Sequence, residues 1–313
     1  MAMEMRQLRY FLAVAEQQSF TRAAEAVHVS QPSLSVQIAA LEDEVGLPLF
    51  DRLGRHVALT EAGQILREHA ARVLGDLEQG VQAIQELKGA ERGRLIVGAL
   101  STVNSYLIPP LVCRFRECFP KVHLQVHAQP SSDIVADLLA HRLDLGLCLL
   151  PLDDARLATV RLFDETLVLV APMGFRPAVP RMRMKDLAKF PLVLMPADYC
   201  LRKMIEAECA EAGVQPHVSI EMTAPEGILE AVKQGAGLTI LPELYVRQRL
   251  RGNALRVIDL YAPAPKHPVG LAHLANRHLG RAAQEFIRLC RTTLLELDVE
   301  PSLAGRPRVR SAG

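Results

Sequence analysis

The sequence holds few of the marks of catalysis. It has no glycine-rich phosphate loop, no GxSxG turn, no paired catalytic carboxylates and no Cys/His cluster at metal-ligand spacing. An enzyme, a metal and a cofactor are therefore not expected. Its six cysteines (Cys113, Cys118, Cys148, Cys200, Cys209, Cys290) form no CxxC, which suits reduced thiols in a cytoplasmic protein. His123 and His127 stand four apart in an expected strand, on one face, with no third ligand. No apolar run reaches the length of a membrane span, so no membrane partner is expected. The start carries Glu4, Arg6 and Arg9, which breaks any signal-peptide core. Net charge is also scarce, at +1. The first sixty residues set Arg6, Arg9, Arg22, Arg52 and Arg55 against Glu4, Glu16, Glu25, Glu42, Asp43, Glu44 and Asp51, a balance of −2. A bulk positive field is thus excluded; any nucleic-acid contact has to come from locally placed arginines and helix starts.

What is present is a patterned chain, half hydrophobic, long enough for two domains. Leu8, Phe11, Leu12 and Ala15 mark a first helix. Residues 20–45 read as two short helices joined by a tight turn. Ala23, Ala24 and Val27 are small or apolar at helical spacing, and His28-Val29 interrupts them. Ser30 can cap the next helix, and Pro32 sits in its first turn, where a missing N–H costs nothing. Leu34, Ile38, Leu41 and Val45 share one face. Gln31, Ser33, Ser35 and Gln37 take the other, and short amides and hydroxyls at a helix start suit base edges in a major groove. An ordinary helical hairpin facing water would look the same.

Gly46 and Pro48 stop this helix. Residues 49–59 read as a short hairpin with Gly54 at its tip. Arg52 and Arg55 flank that tip, near phosphate or the minor groove in one reading and in a solvated turn in the other. Thr60-Glu61 opens a long helix running to about Lys88. Leu66, Ala70, Val73, Leu77, Gly80, Ile84 and Leu87 follow a 3-4 spacing, a seam between two chains or a face lying on its own domain. Residues 89–93 form a linker. Beyond it strands and helices alternate, with continuous apolar runs that predict parallel strands of doubly wound units, enough for two lobes. Strands are expected at 94–100, 122–128, 145–149, 166–171, 192–195, 218–222, 238–241, 255–258 and 269–274. Helices are expected at 105–118, 132–139, 201–212, 225–234 and 279–295.

The quoted N-terminal residues, with Leu49-Phe50-Asp51-Arg52 and Leu59-Thr60-Glu61-Ala62-Gly63, resemble the LysR-type transcriptional regulators. Weaker marks follow in order: Gly93, Asp144-Leu145-Gly146, and the stretch from Gly235 to Pro242. The resemblance covers almost the whole chain. It implies a winged helix-turn-helix DNA-binding domain (1–62), a dimerising linker helix (63–91) and a two-lobed effector domain like periplasmic binding proteins (92–300). Residues 301–313 are an Arg/Pro/Gly-rich tail expected to be disordered. The fold class is α/β with an all-α N-terminal module. The partners implied are double-stranded promoter DNA, further copies of the chain as homodimer or homotetramer, RNA polymerase and a small-molecule effector. DNA contact falls on Gln31, Pro32, Ser33, Ser35 and Val36, with Arg52 and Arg55 in the wing. Many members carry arginine at Val36; a valine cannot read guanine but can touch a thymine methyl.

Effector contact is expected where strands run into helices, at Ser101, Thr102, Ser131, Pro196, Tyr199, Cys200 and Thr223. Free N–H groups at helix starts there suit an anion, and the same hydroxyls also serve as plain caps. Cys200 and Cys209, nine apart, are similar to the peroxide-sensing branch of the family, in which the first cysteine is oxidised and the second resolves it. That branch has His and Asp where this chain has Tyr199 and Lys203. Regulators of cyanate response and carbon fixation are comparably similar over the N-terminal half. A cytoplasmic small-molecule-binding protein without DNA binding is the rival from another class.

Overall fold

The computed structural model describes residues 3–53, 56–87, 93–176, 180–250, 254–262 and 264–297. The chain divides into two compact units, Met1–Ala90 with Ala140–Arg142, and Glu91–Leu139 with Leu143–Gly313. The expected tail 301–313, the hairpin tip and the linker 88–92 lie outside the described residues.

In the first unit the helices are α1 (Met5–Gln17), α2 (Phe20–Ala26) and α3 (Gln31–Val45). A two-stranded ribbon follows, β1 (Phe50–Leu53) and β2 (His56–Leu59), then α4 (Glu61–Leu87). Each short helix has a cap written in its sequence. Ser19 Oγ accepts from the Arg22 amide at the start of α2, and Ser30 Oγ accepts from the Ser33 amide at 3.3 Å at the start of α3. Gly46 ends α3 at φ 78°, a left-handed conformation that glycine adopts without strain. The core joins Leu8, Phe11, Ala23, Leu34, Ile38, Leu41, Leu49 and Phe50, with the Phe50 ring against Phe11 and Phe20. Burying such side chains contributes about 1.5–3 kcal/mol each. Gly63 lets α4 approach the ribbon: a Cβ there would lie 2.1 Å from the Leu49 carbonyl oxygen.

The second unit is built on β3 (Gly93–Ala99), α5 (Ser101–Tyr106), α6 (Ile108–Cys118), β4 (Val122–Ala128), α7 (Ser131–Leu139) and β5 (Leu145–Leu149). Next come β6 (Leu157–Pro172), β7 (Arg181–Arg183), a 3-10 turn at Met184–Lys189, β8 (Leu192–Leu194), α8 (Cys200–Glu211), β9 (Val218–Glu221) and α9 (Pro225–Lys233). The chain closes with β10 (Thr239–Pro242), α10 (Glu243–Arg249), β11 (Leu255–Tyr261), β12 (Lys266–Leu274) and α11 (Arg281–Glu296).

β4, β3 and β5 are parallel, as continuous apolar runs imply. The rest is not the purely parallel, two-sheet arrangement expected. β12 runs antiparallel to both β5 and β6, and β10 and β11 run antiparallel to β6. β6 is the cause. Its first half pairs with β12, from Leu157 opposite Leu274 to Thr166 opposite Lys266, and its second half pairs with β10 and β11. One sixteen-residue strand thus runs from the first lobe into the second, and the lobes share a sheet. The helix expected at 105–118 is two helices, because Pro109 and Pro110 start a new one at Ile108.

Candidate DNA-reading helix and effector cavity

α3 is held from beneath. Leu34, Ile38 and Leu41 are fully buried. Glu42 Oε1 accepts from the Leu49 and Phe50 amides at 2.7 and 3.2 Å, which ties the body of α3 to the start of β1. Thr60 Oγ1 donates to the Pro48 carbonyl at 2.7 Å and accepts from the Gly63 amide, fixing the ribbon against α4.

The opposite face of α3 is open. Gln31, Pro32 and Ser33 are exposed, Val36 is 64% exposed and Ser35 is half-buried. The Gln31 side-chain amide donates to Ser35 Oγ at 2.9 Å. That bond orders both side chains and leaves the Gln31 carbonyl as an acceptor and the Ser35 hydroxyl hydrogen as a donor. An ordered acceptor beside a donor on a helix start is a usable pattern for base edges. Elsewhere in the unit Arg22 donates to the Gln17 carbonyl and Arg6 pairs with Glu4. The backbone of Arg52 lies in β1 opposite Val57. Its side chain, and Arg55 as a whole, lie outside the described residues.

α4 splits the expected seam. Ala70 and Leu74 are buried in the unit's own core and Leu66 packs against it. Val73, Leu77, Val81 and Ile84 stay between 43% and 56% exposed, so from Val73 onward an apolar stripe has no cover within its unit. Gly80 is exposed, and the side chain of Leu87 lies outside the described residues.

In the second unit a cavity of about 30 Å³ opens where β3, β4 and β8 run into helices. Four of the seven expected effector residues line it: Ser101, Thr102, Tyr199 and Cys200. Ser131 does not line it, although its backbone amide pulls the Cys200 thiol down. Pro196 is half-buried outside the lining, and Thr223 is exposed and also outside it. Pro196 shares its loop with Met195 and Tyr199, which do line the cavity.

The residue that sequence reading missed is Glu165, in the middle of β6. It is 3% exposed, and Tyr106 of α5 donates to its Oε1 at 2.6 Å. Burial pushes its carboxyl up to about 7, and the Tyr106 hydrogen bond opposes that rise. Tyr106 is itself pushed well up, first by burial and then by Glu165. Gln129, Met195 and Met204 complete the polar and apolar walls. A carboxylate inside a strand between Asp164 and Thr166 carries no motif that marks it.

Cys200 opens α8 beside this cavity. Burial raises its thiol; the Ser131 and Leu201 amides and its own pull the other way, and Glu165 adds to the rise. Arg202, two residues on, is held by other partners. Its guanidinium donates to the Met195 carbonyl at 3.0 Å, Glu221 at 2.9 Å and Glu206 at 2.7 Å. Cys209 is buried further along α8, its thiol pushed up to about 11 by burial and then by Glu206 and Glu208.

A capped, core-anchored helix with a polar open face beside a two-stranded ribbon, in a chain whose other unit is a two-lobed α/β binding fold, defines a ligand-responsive DNA-binding regulator. Comparison with known proteins agrees. Residues 5–64 match the bacterial regulatory helix-turn-helix family of lysR type, and residues 88–295 match the LysR substrate binding domain. The chain belongs to the LysR family of transcriptional regulators. It is 32% identical over 275 residues to the DNA-binding transcriptional dual regulator OxyR of Escherichia coli, covering 87% of this chain and 89% of that one. It is 31% identical over 287 residues to the RuBisCO operon transcriptional regulator of Allochromatium vinosum, covering 91% and 95%. Among solved structures, a full-length OxyR variant from Pseudomonas aeruginosa superposes with a TM-score of 0.74 at 29% identity, covering 92% of this chain and 98% of that one. No helix among the described residues is long and apolar enough to cross a membrane.

Proposed function

We propose that the protein reads promoter DNA through Gln31, Pro32, Ser33, Ser35 and Val36, with Arg52 and Arg55 of the ribbon on phosphate or the minor groove. It acts in the cytoplasm, without enzymatic activity, on promoters it shares with RNA polymerase. The segments doing this are 1–62 for DNA, 63–91 for dimerisation and 92–300 for the effector. The observation that carries the reading is the division of α3 into a fully buried face and an open one, with Gln31 already bonded to Ser35. The uncovered stripe of Val73, Leu77, Val81 and Ile84 supports a homodimer through α4, and dimers of that kind pair into tetramers. The effector occupies the cavity beside Thr102, Ser101, Tyr199 and Cys200. A gel shift on promoter fragments, at several salt concentrations, tests it: specific binding that survives Gln31→Ala with Ser35→Ala ends this assignment.

A second reading is thiol sensing by Cys200. The Ser131 and Leu201 amides and its own pull the Cys200 thiol down and favour it, because groups that do so would also favour an oxidised, anionic sulfur. Several relatives bear the name hydrogen peroxide-inducible genes activator. Two features weigh against it: burial raises the thiol where a sensor needs it lowered, and the resolving partner is remote. Nine residues of helix separate Cys200 from Cys209 by about 13 Å and place them on opposite faces, so a disulfide requires α8 to unwind. Thiol counting after peroxide treatment decides; two thiols that stay free remove this option.

A further inference from the structure

We propose that the ligand of this cavity presents a compact ammonium group, and that Glu165, set in place by Tyr106, is the residue that reads it. The proposal rests on the cavity being the effector site. Of the twelve residues lining it, none is Arg, Lys or His. Glu165 is buried with one oxygen held by the Tyr106 hydroxyl, and its other oxygen makes no hydrogen bond among the described residues. A carboxyl oxygen without a hydrogen bond, on a residue 3% exposed at a cavity wall, is a waiting acceptor. The remaining polar groups, Ser101, Thr102 and Gln129, can each accept through oxygen. Met195, Met204 and Leu149 supply an apolar wall for the carbon attached to the nitrogen, and Tyr199 a ring. About 30 Å³ leaves room for about two waters, or for a head group of two or three heavy atoms.

An anion has a poorer fit. The lining offers an anion no cationic side chain. A carboxylate ligand would then meet the Glu165 carboxyl with no cation nearby. Charge and protons balance simply. The empty site holds Glu165 partly protonated near neutral pH, and a bound ammonium sends that proton to solvent, leaving a carboxylate–ammonium pair. The groups facing Glu165 are Tyr106 of α5 and Cys200 of α8. His267, its register partner on β12, has its Nε2 3.2 Å from a Glu208 oxygen, and burial lowers its imidazole.

The test is thermal melting of the full chain with methylammonium chloride, sodium acetate or acetamide, at matched ionic strength and pH 8. Methylammonium should raise the melting temperature and bind at least about tenfold more tightly than either other probe, and Glu165→Gln should cost about tenfold or more in that affinity. Gln keeps an oxygen for Tyr106, so the fold has its hydrogen bond. A second measurement needs no variant: wild-type affinity should fall about tenfold per pH unit below about 7, as protons compete for the carboxyl. Methylammonium binding that ignores both Glu165→Gln and pH overturns the proposal, as does acetamide binding equally well. Acetate stabilisation that Thr102→Val removes keeps the cavity as effector site and overturns the ligand class. No shift with any probe overturns both.

Discussion

Replacing Glu165 by Gln should change how stability depends on pH, and the size follows from its burial. The folded protein raises this carboxyl from an ordinary 4.5 to about 7. Below 4.5 it is protonated in both states and costs nothing. As pH rises the unfolded chain ionises first, so stability is lost progressively and the full penalty is reached above about 7. A shift of this size corresponds to about 3 kcal/mol. Glu165→Gln carries no such charge, so the variant should gain about 3 kcal/mol on wild type between pH 4.5 and pH 8. With a urea slope of about 2–3 kcal/mol per molar, that is a midpoint difference growing by about 1 M. The chain holds no tryptophan, so far-UV circular dichroism of the full protein is the signal. His267, whose imidazole burial lowers, titrates in the same window but is present in both proteins and cancels in the difference. Parallel wild-type and variant stability curves across this range would show that Glu165 is solvated or otherwise paired, and the account of the cavity wall would fail.

Other changes test other parts. Ser30→Ala removes the cap of α3 and should lower stability of the first unit by about 1 kcal/mol, read as a lower melting temperature with DNA specificity unchanged in kind. Gly63→Ala drives a Cβ into the Leu49 carbonyl and should destabilise by at least about 2 kcal/mol, with loss of DNA binding at growth temperature. Leu77→Glu places a charge in the exposed stripe of α4 and should shift sedimentation toward the monomer while the monomer's own circular dichroism is kept. Arg202→Met strips the Met195 carbonyl of its donor, but Glu206 and Glu221 are about half-exposed and keep solvent, so the loss should be about 1–3 kcal/mol rather than that of a fully buried pair.

The first unit was the more legible part. Ser30 and Gly46 act locally, within a turn of the backbone they satisfy, so their roles can be read from spacing alone, whereas the Thr60 bond to the Pro48 carbonyl spans twelve residues. Strands β4 and β5 fall at their expected residues because each is a short bounded apolar or alternating run. β6 did not read whole. Its first half carries Arg161, Asp164 and Glu165, so only the apolar stretch 166–171 looked like a strand. The pairing direction of β12 depends on contacts a hundred residues away, which no local pattern encodes. The cavity shows the same divide. Thr102 and Cys200 stand at strand-to-helix junctions and could be named, whereas Glu165 reaches the site only because β6 crosses between lobes. Pro196 and Thr223 occupy junctions of the same kind, and being at one does not put a side chain on the wall.

The most direct test of the central claim is a footprint on promoter DNA by wild type and by the Gln31→Ala, Ser35→Ala and Val36→Ala variants, with non-specific DNA measured beside it. The open face of α3 predicts that Gln31→Ala and Ser35→Ala each weaken specific binding by about 1–3 kcal/mol and leave non-specific binding and its salt dependence intact. An unchanged footprint from all three variants, each folded as wild type, would mean that DNA is read by some other surface.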